Sequence, residues 1–189
     1  MSDIVNNKLY SADEFISLID KLYDDKRYEL IDGTIYAMSS PSTIHQRVIM
    51  FILEMFTKYF TNNKCEVFVS PLDVFLYAEK RDKNSCVNVY QPDLFVVCDK
   101  TKIQANGIYG APDLVVEVVS KSTAMHDYLI KLNNYLRNGV KEYWIVDCDK
   151  NQIVIYYDDF SVNTYKFSDI VDSYIFSGLS IDFSLFVNE

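Results

Sequence analysis

No apolar run in this chain of 189 residues approaches the ~20 residues that would span a bilayer. The opening residues, Met1-Ser2-Asp3-Ile4-Val5-Asn6-Asn7, lack the basic-then-apolar pattern of an export signal, so a cytoplasmic protein with no membrane contact is expected. Basic residues are scarce: 18 Lys and Arg stand against 27 Asp and Glu, a net charge of −9. Such a chain repels phosphate as a whole, which argues against adhesion to nucleic acid through bulk charge but leaves room for a local basic patch or a metal. There is no Gly-rich phosphate loop, no Cys/His metal cluster, and no Ser, His and Asp set that spacing would assemble into a triad. Cys65, Cys86, Cys98 and Cys148 are scattered without close pairs, several inside apolar runs. They read as reduced core cysteines, with no disulfide framework or zinc site.

What is present is an ordinary globular composition, 49% hydrophobic and 24% charged. The length suits one domain over residues 1–189, with an N-terminal helix and C-terminal strands as elaborations. Ser11-Ala12-Asp13-Glu14 is a capping box at the start of a helix. Tyr28 to Met38 reads as a hairpin turning at Asp32-Gly33. Ser42 caps a long helix over 43–60, with Ile44, Val48, Ile52, Met55 and Tyr59 as its apolar face. Strand signals follow at 66–70 and 72–77 around Pro71, then a charged loop at 79–84 and extended segments at 87–90 and 93–98. Residues 99–111 read as a loop leading into a strand over 112–120. A helix over 123–138, stopped by Gly139, carries Met125, Leu129, Leu132 and Leu136 as its buried stripe, with Lys131 at the stripe's border. Strands near 140–146, 153–157 and 162–167 precede a tail that packs back on the sheet. This order predicts an α/β (α+β) fold, a mixed central β-sheet flanked by helices.

One residue in this pattern asks for a chemical explanation. Glu117 interrupts the run Leu114-Val115-Val116-Glu117-Val118-Val119, which reads as a strand buried on both faces. A carboxylate there is costly unless it is paired, hydrogen-bonded or bound to a cation. Alternation puts Asp113, Val115, Glu117 and Val119 on one face. Asp113 is a poor partner for Glu117: four residues along a strand separate Cα atoms by roughly 13 Å, whereas two oxygens on one Mg²⁺ lie within about 4 Å. Asp93, which opens a neighbouring apolar strand after Gln91-Pro92, can reach. Taken singly, Asp93 also reads as a turn residue, Glu29 as a surface acid of the hairpin, and Lys131 as a lysine snorkelling to water. His45 and His126 lie near helix starts, as capping or packing residues do, and His45 could reach a site through its helix N-terminus.

Several motifs in order resemble a known family: Tyr28-Glu29-Leu30-Ile31-Asp32-Gly33, His45 early in a helix, Gln91-Pro92-Asp93, the strand from Pro112 to Ser120, then Asp127 and Lys131, and Gly139-Val140-Lys141-Glu142-Tyr143-Trp144-Ile145-Val146-Asp147. The set resembles the Uma-type restriction endonuclease family, within the PD-(D/E)XK nuclease superfamily, and runs from about Tyr28 to Tyr157. The resemblance implies a restriction-endonuclease-like core and a metal-dependent DNA endonuclease. Asp93 and Glu117 would bind Mg²⁺ (or Mn²⁺), with the backbone carbonyl of Val118 as a third oxygen. The superfamily's lysine position is Val119 here, so Lys131 on the following helix would orient the attacking water, and Glu29 would complete the site. DNA would be the partner, and a homodimer the simplest way to cut both strands. Two other readings compete: a catalytically inactive nuclease-fold module binding nucleic acid or a protein, suggested by the negative charge and displaced lysine, and a small-molecule hydrolase using Glu117 as a general acid.

Overall fold

The computed structural model describes residues 8–22, 24–77, 86–119 and 126–187. The charged loop at 79–84 and the helix entry at 120–125, with Met125, lie outside the described residues, as do the side chains of His126 and Asp127.

Helix α1 (Ala12–Ile19) starts at the expected capping box: the Ser11 hydroxyl accepts from Glu14 N, and the Glu14 carboxylate accepts from Ser11 N at 3.0 Å. Strands β1 (Tyr28–Ile31) and β2 (Thr34–Ala37) form the hairpin. Its tight turn needs positive φ at both central residues, and Asp32 (48°) and Gly33 (78°) supply it. Helix α2 (Thr43–Phe60) begins where Ser42 caps it. Its buried face is Val48, Ile49, Ile52, Phe56 and Phe60, so the predicted stripe is displaced. Ile44 is exposed, and Met55 and Tyr59 are only half-buried. The helix is apolar over a wide arc, and the deeper contact goes to Phe56, whose ring meets Trp144 edge-on at 5.9 Å.

Two six-stranded sheets carry the fold. The first runs β12 (Val162–Lys166), β11 (Gln152–Tyr157), β10 (Glu142–Asp147), β9 (Leu114–Val119), β6 (Leu94–Val97), β3 (Glu66–Val69). Its only parallel pair is β9 with β10, so the sheet is mixed as expected. The second places β1 and β2 beside β5 (Val89–Tyr90), β4 (Val74–Phe75), β8 (Gly107–Tyr109) and β7 (Ile103–Gln104). The segment read as a loop at 99–111 therefore contains a small hairpin. Gly107 is required there: a Cβ would sit 2.7 Å from the Asp73 carbonyl oxygen.

The alternation in β9 holds. Leu114, Val116 and Val118 join the core beneath α2 and the C-terminal segment, together with Trp144 and Phe56. Val115 and Val119 face the other way, into a core shared by both sheets and by helix α3 (Leu132–Arg137). Residues His126–Lys131 form a π-helical stretch running straight into α3. That wider turn rotates the helix off the predicted phase. Leu129 is 58% exposed, while Tyr135 and Leu136 are buried. The C-terminal segment adds β13 (Ile170–Asp172), β14 (Ser180–Asp182) and the short helix α4 (Ser184–Val187). It is tied down by Glu142, a fully buried acid that accepts from Trp144 Nε1, Ser173 Oγ and Ile175 N.

The cysteine expectation is corrected. Cys65 and Cys98 form a disulfide, and Cys86 and Cys148 are free. The register of β3 with β6 pairs Glu66 with Val97, so the next rung brings Cys65 opposite Cys98. A separation of 33 residues hid that pairing from the sequence. No helix among the described residues is long and apolar enough to cross a membrane.

Candidate active site

Glu29 lies on β1 of the second sheet, Glu117 near the end of β9, and Lys131 at the junction of the π-helical turn with α3. The space between the sheets brings them together. Lys131 Nζ donates to Glu29 Oε1 and to Glu117 Oε1, each at 3.1 Å. The lysine side chain is 4% exposed, Glu29 is 0% and Glu117 is 6%, so all three charges are out of water. Removing any one would leave the others uncompensated, which is why such groups persist only as a set. Lys131 is therefore not a border residue. The π-helical turn points it inward, and its ammonium also lies 5.6 Å from the centre of the Tyr90 ring.

Asp93 stands just before β6, at the edge where β6 begins and β9 ends. The register pairs Leu94 with Val116, so the following rung sets Asp93 opposite Glu117. Asp93 Oδ2 accepts from Val118 N at 2.8 Å. His45 Nε2 lies 3.1 Å from the same oxygen. The N-terminus of α2 brings this histidine to Asp93, and Ser42, accepting from His45 N, anchors that turn. Asp113 lies elsewhere, accepting from Cys98 N at 2.8 Å and Lys141 Nζ at 2.6 Å. It ties strand ends together. Val119, the position at which the resemblance would put a lysine, is buried among apolar neighbours and is part of the core.

Several contributors were invisible in the sequence. The Tyr135 hydroxyl donates to Glu117 Oε1 at 3.0 Å, from a ring that no water reaches. Burial, and then the neighbouring Glu117 charge, raise its pKa well above the usual tyrosine value, so the phenol stays a donor. Gln91 N donates to Glu29 Oε1 at 3.0 Å. Asn134 donates to Asp32 Oδ1, Asn88 Oδ1 and the Tyr90 hydroxyl, and so ties α3 to the hairpin turn and to β5. The one available signal was spacing: Tyr135 follows Lys131 by four residues and shares its helix face.

The profile of the Uma2 family, described as "Putative restriction endonuclease", matches residues 12–184. The chain belongs to the Uma2 family. The chain is also similar to "Uncharacterized protein slr1290" from Synechocystis sp., 28% identical over 149 residues, covering 76% of this chain and 75% of that protein. Among solved structures, the crystal structure of "a putative nuclease belonging to DUF820" from Anabaena variabilis superposes with a TM-score of 0.71. It is 17% identical and covers 88% of this chain and 90% of that one, a likeness that shows a shared fold. The chain thus belongs to a family described as "Putative restriction endonuclease" and shares its fold with that Anabaena protein, mixed sheets flanked by helices.

Within that fold, Asp93 and Glu117 offer the hard oxygen donors that Mg²⁺ takes, one or two carboxylates with the remaining positions left to water and phosphate. Among the described residues no three of His, Cys, Asp and Glu cluster into a ready-made cage, as a protein-only Ca²⁺ or Zn²⁺ site would require.

Proposed function

We propose that this Uma2 protein is a DNA endonuclease hydrolysing phosphodiester bonds with a divalent cation, Mg²⁺ or Mn²⁺, held by Asp93 and Glu117 and the Val118 carbonyl. The observation that carries the reading is the lysine buried between Glu117 and Glu29, with the Asp93 carboxylate accepting from Val118 N, the residue next to Glu117. Charge supports it. Among the described residues, the carboxylates of Glu29, Asp93 and Glu117 outnumber the ammonium of Lys131, an excess of negative charge that a divalent cation would offset. When bound, the cation polarises the scissile phosphate and lowers the pKa of water at the site. Lys131 holds the attacking water in line and offsets the charge that develops on the phosphoryl oxygens. Glu29 and Glu117 hold that ammonium in place through their hydrogen bonds. Among the described residues the part of the site that reaches water is the Asp93 edge, where the Asp93 and His45 side chains are each 14% exposed, and DNA would approach there.

The test is cleavage of plasmid, duplex and branched DNA with Mg²⁺ or Mn²⁺. Activity that Glu117→Ala abolishes is expected, whereas activity unchanged by that substitution would remove the site. The net charge of −9 favours a second reading, a nuclease-fold module that binds without cutting. Mn²⁺ binding that Asp93→Ala removes separates the two, because the idle module has no need of it. Double-strand cutting by a two-fold dimer is part of the proposal, and a sedimentation coefficient of a monomer on and off DNA would reject it.

A further inference from the structure

Arg27 stands just ahead of β1, and its backbone carbonyl accepts from Met38 N at 2.9 Å across the hairpin. Its half-buried guanidinium donates from Nη1 to Ser70 Oγ at 2.8 Å. Ser70 follows β3, and its N–H donates to the Asp93 carbonyl at 3.2 Å. Two hydrogen bonds and one serine therefore separate the guanidinium from the backbone of Asp93, where the site meets water. Among the described residues this guanidinium forms no ion pair, in a chain of 27 acids and 18 bases. We propose that Arg27, steadied by Ser70, grips a backbone phosphate of the DNA that enters at the Asp93 edge. This rests on DNA as the substrate and not on a bound cation.

The chemistry of the pair suits a phosphate. A guanidinium presents five donors in a rigid fork that matches phosphate at two points, and one neutral hydroxyl uses little of that capacity. The Ser70 hydroxyl accepts from Arg27 and, among the described residues, gives its own proton to no acceptor, so it adds a donor beside the fork. Asp24 and Asp25 precede Arg27 in the chain, yet neither pairs with it; Asp24 accepts instead from the Tyr28 hydroxyl at 2.7 Å. The exposed segment that follows runs from Met38, bonded to Arg27, to His45, which touches Asp93, and the first turn of α2 carries no acid to oppose a phosphate. A neutral donor could tie the hairpin to the end of β3 equally well. The charge is what asks for a partner.

The test is anisotropy of labelled duplex and branched DNA titrated with the full chain in a chelating buffer, across about 50–200 mM NaCl. Arg27→Gln keeps a donor for Ser70 and loses the charge. It should bind about 10- to 100-fold more weakly, the range for hydrogen bonds to charged groups. The slope of log K against log salt should flatten by about 0.9, one phosphate contact. Arg27→Lys should keep the wild-type slope while losing part of the affinity, because the charge stays and the fork goes. Lys58→Gln removes a positive charge from the far end of α2, roughly 20 Å along the helix from His45, and should leave the slope alone. Should Arg27→Gln lose its cooperative melt, Ser70→Ala carries the test: weaker binding at the wild-type slope is expected, and unchanged binding would overturn the proposal. If wild type binds DNA and Arg27→Gln matches it in affinity and slope, this proposal alone falls. An equal loss in Lys58→Gln would assign the effect to bulk charge and overturn it too. Wild-type protein that binds neither DNA would bring down the DNA reading and this proposal together. In cleavage assays Arg27→Gln should raise KM and leave kcat in place, and a fall in kcat at unchanged KM would count against a phosphate grip.

Discussion

Lys131 carries its charge at a point where 3% of its surface meets water, and it stays there because Glu29 and Glu117 face it. Lys131→Met leaves two buried carboxylates without their counter-charge, so a loss of about 3–5 kcal/mol in urea unfolding is expected without added cation. Cleavage should fall by at least about 100-fold, the usual scale for a group managing a reacting water's proton. Periodicity alone put this residue at the border of a helix stripe. The role proposed for it came only from resemblance to a family, because nothing local marks a lysine that pairs with an acid 102 residues away. Cys148 offers a separate check at this scale. Burial first, then Asp147 and Asp149, push its thiol up to about 11. Only the thiolate alkylates, so labelling of the Cys148 peptide by iodoacetamide should climb with pH up to about 11. An ordinary thiol levels off above about 8.5; that earlier plateau, read by mass spectrometry, would contradict the shift.

At the scale of elements, what the chain says locally survives folding best where the signal is steric or capping. Ser11 with Glu14, Ser42, and Asp32-Gly33 each fix backbone groups within four residues, and each is found in place. The helix before Gly139 shows the converse. Its α-periodic stripe holds for Leu136 but fails for Leu129, because residues 126–131 take a π-helical turn that periodicity does not foresee. Leu136→Ala should therefore cost about 2–5 kcal/mol. Leu129→Ala should stay within about 0.5 kcal/mol. Equal losses in denaturant titrations would mean that the helix keeps its simple phase. The hairpin of β7 and β8 went unseen for a different reason: strands of two and three residues are too short to display alternation.

For the whole molecule, the disulfide is the clearest departure from what composition suggested. Closing a 33-residue separation between Cys65 and Cys98 restricts the unfolded chain. On the loop-entropy scale this stabilises by about 4 kcal/mol. Non-reducing denaturation should expose two free thiols to a thiol reagent, those of Cys86 and Cys148. A reductant should lower the unfolding midpoint of wild type but not of Cys65→Ala. Four reactive thiols and an unmoved midpoint would restore the reduced reading. With this bridge in place, the cysteines no longer argue for a reducing compartment.

The amino-acid order by itself determined the local elements, the mixed α and β character, and the anomaly of an acid in a valine strand. These depend on short-range sterics, on period-two alternation and on the cost of burying charge, all of which act within a few residues. Only the tertiary structure decided which charges meet. The Asp93 carboxylate accepts from the N–H of Val118, the residue next to Glu117, because β6 and β9 run antiparallel in one particular register. Glu117 meets Lys131 and Tyr135 because a π-helical turn rotates the next helix, and it shares Lys131 with Glu29 because a second sheet packs across the first. Register, helix phase and sheet packing are settled by the whole core at once, so a site that depends on all three cannot be read from any one segment.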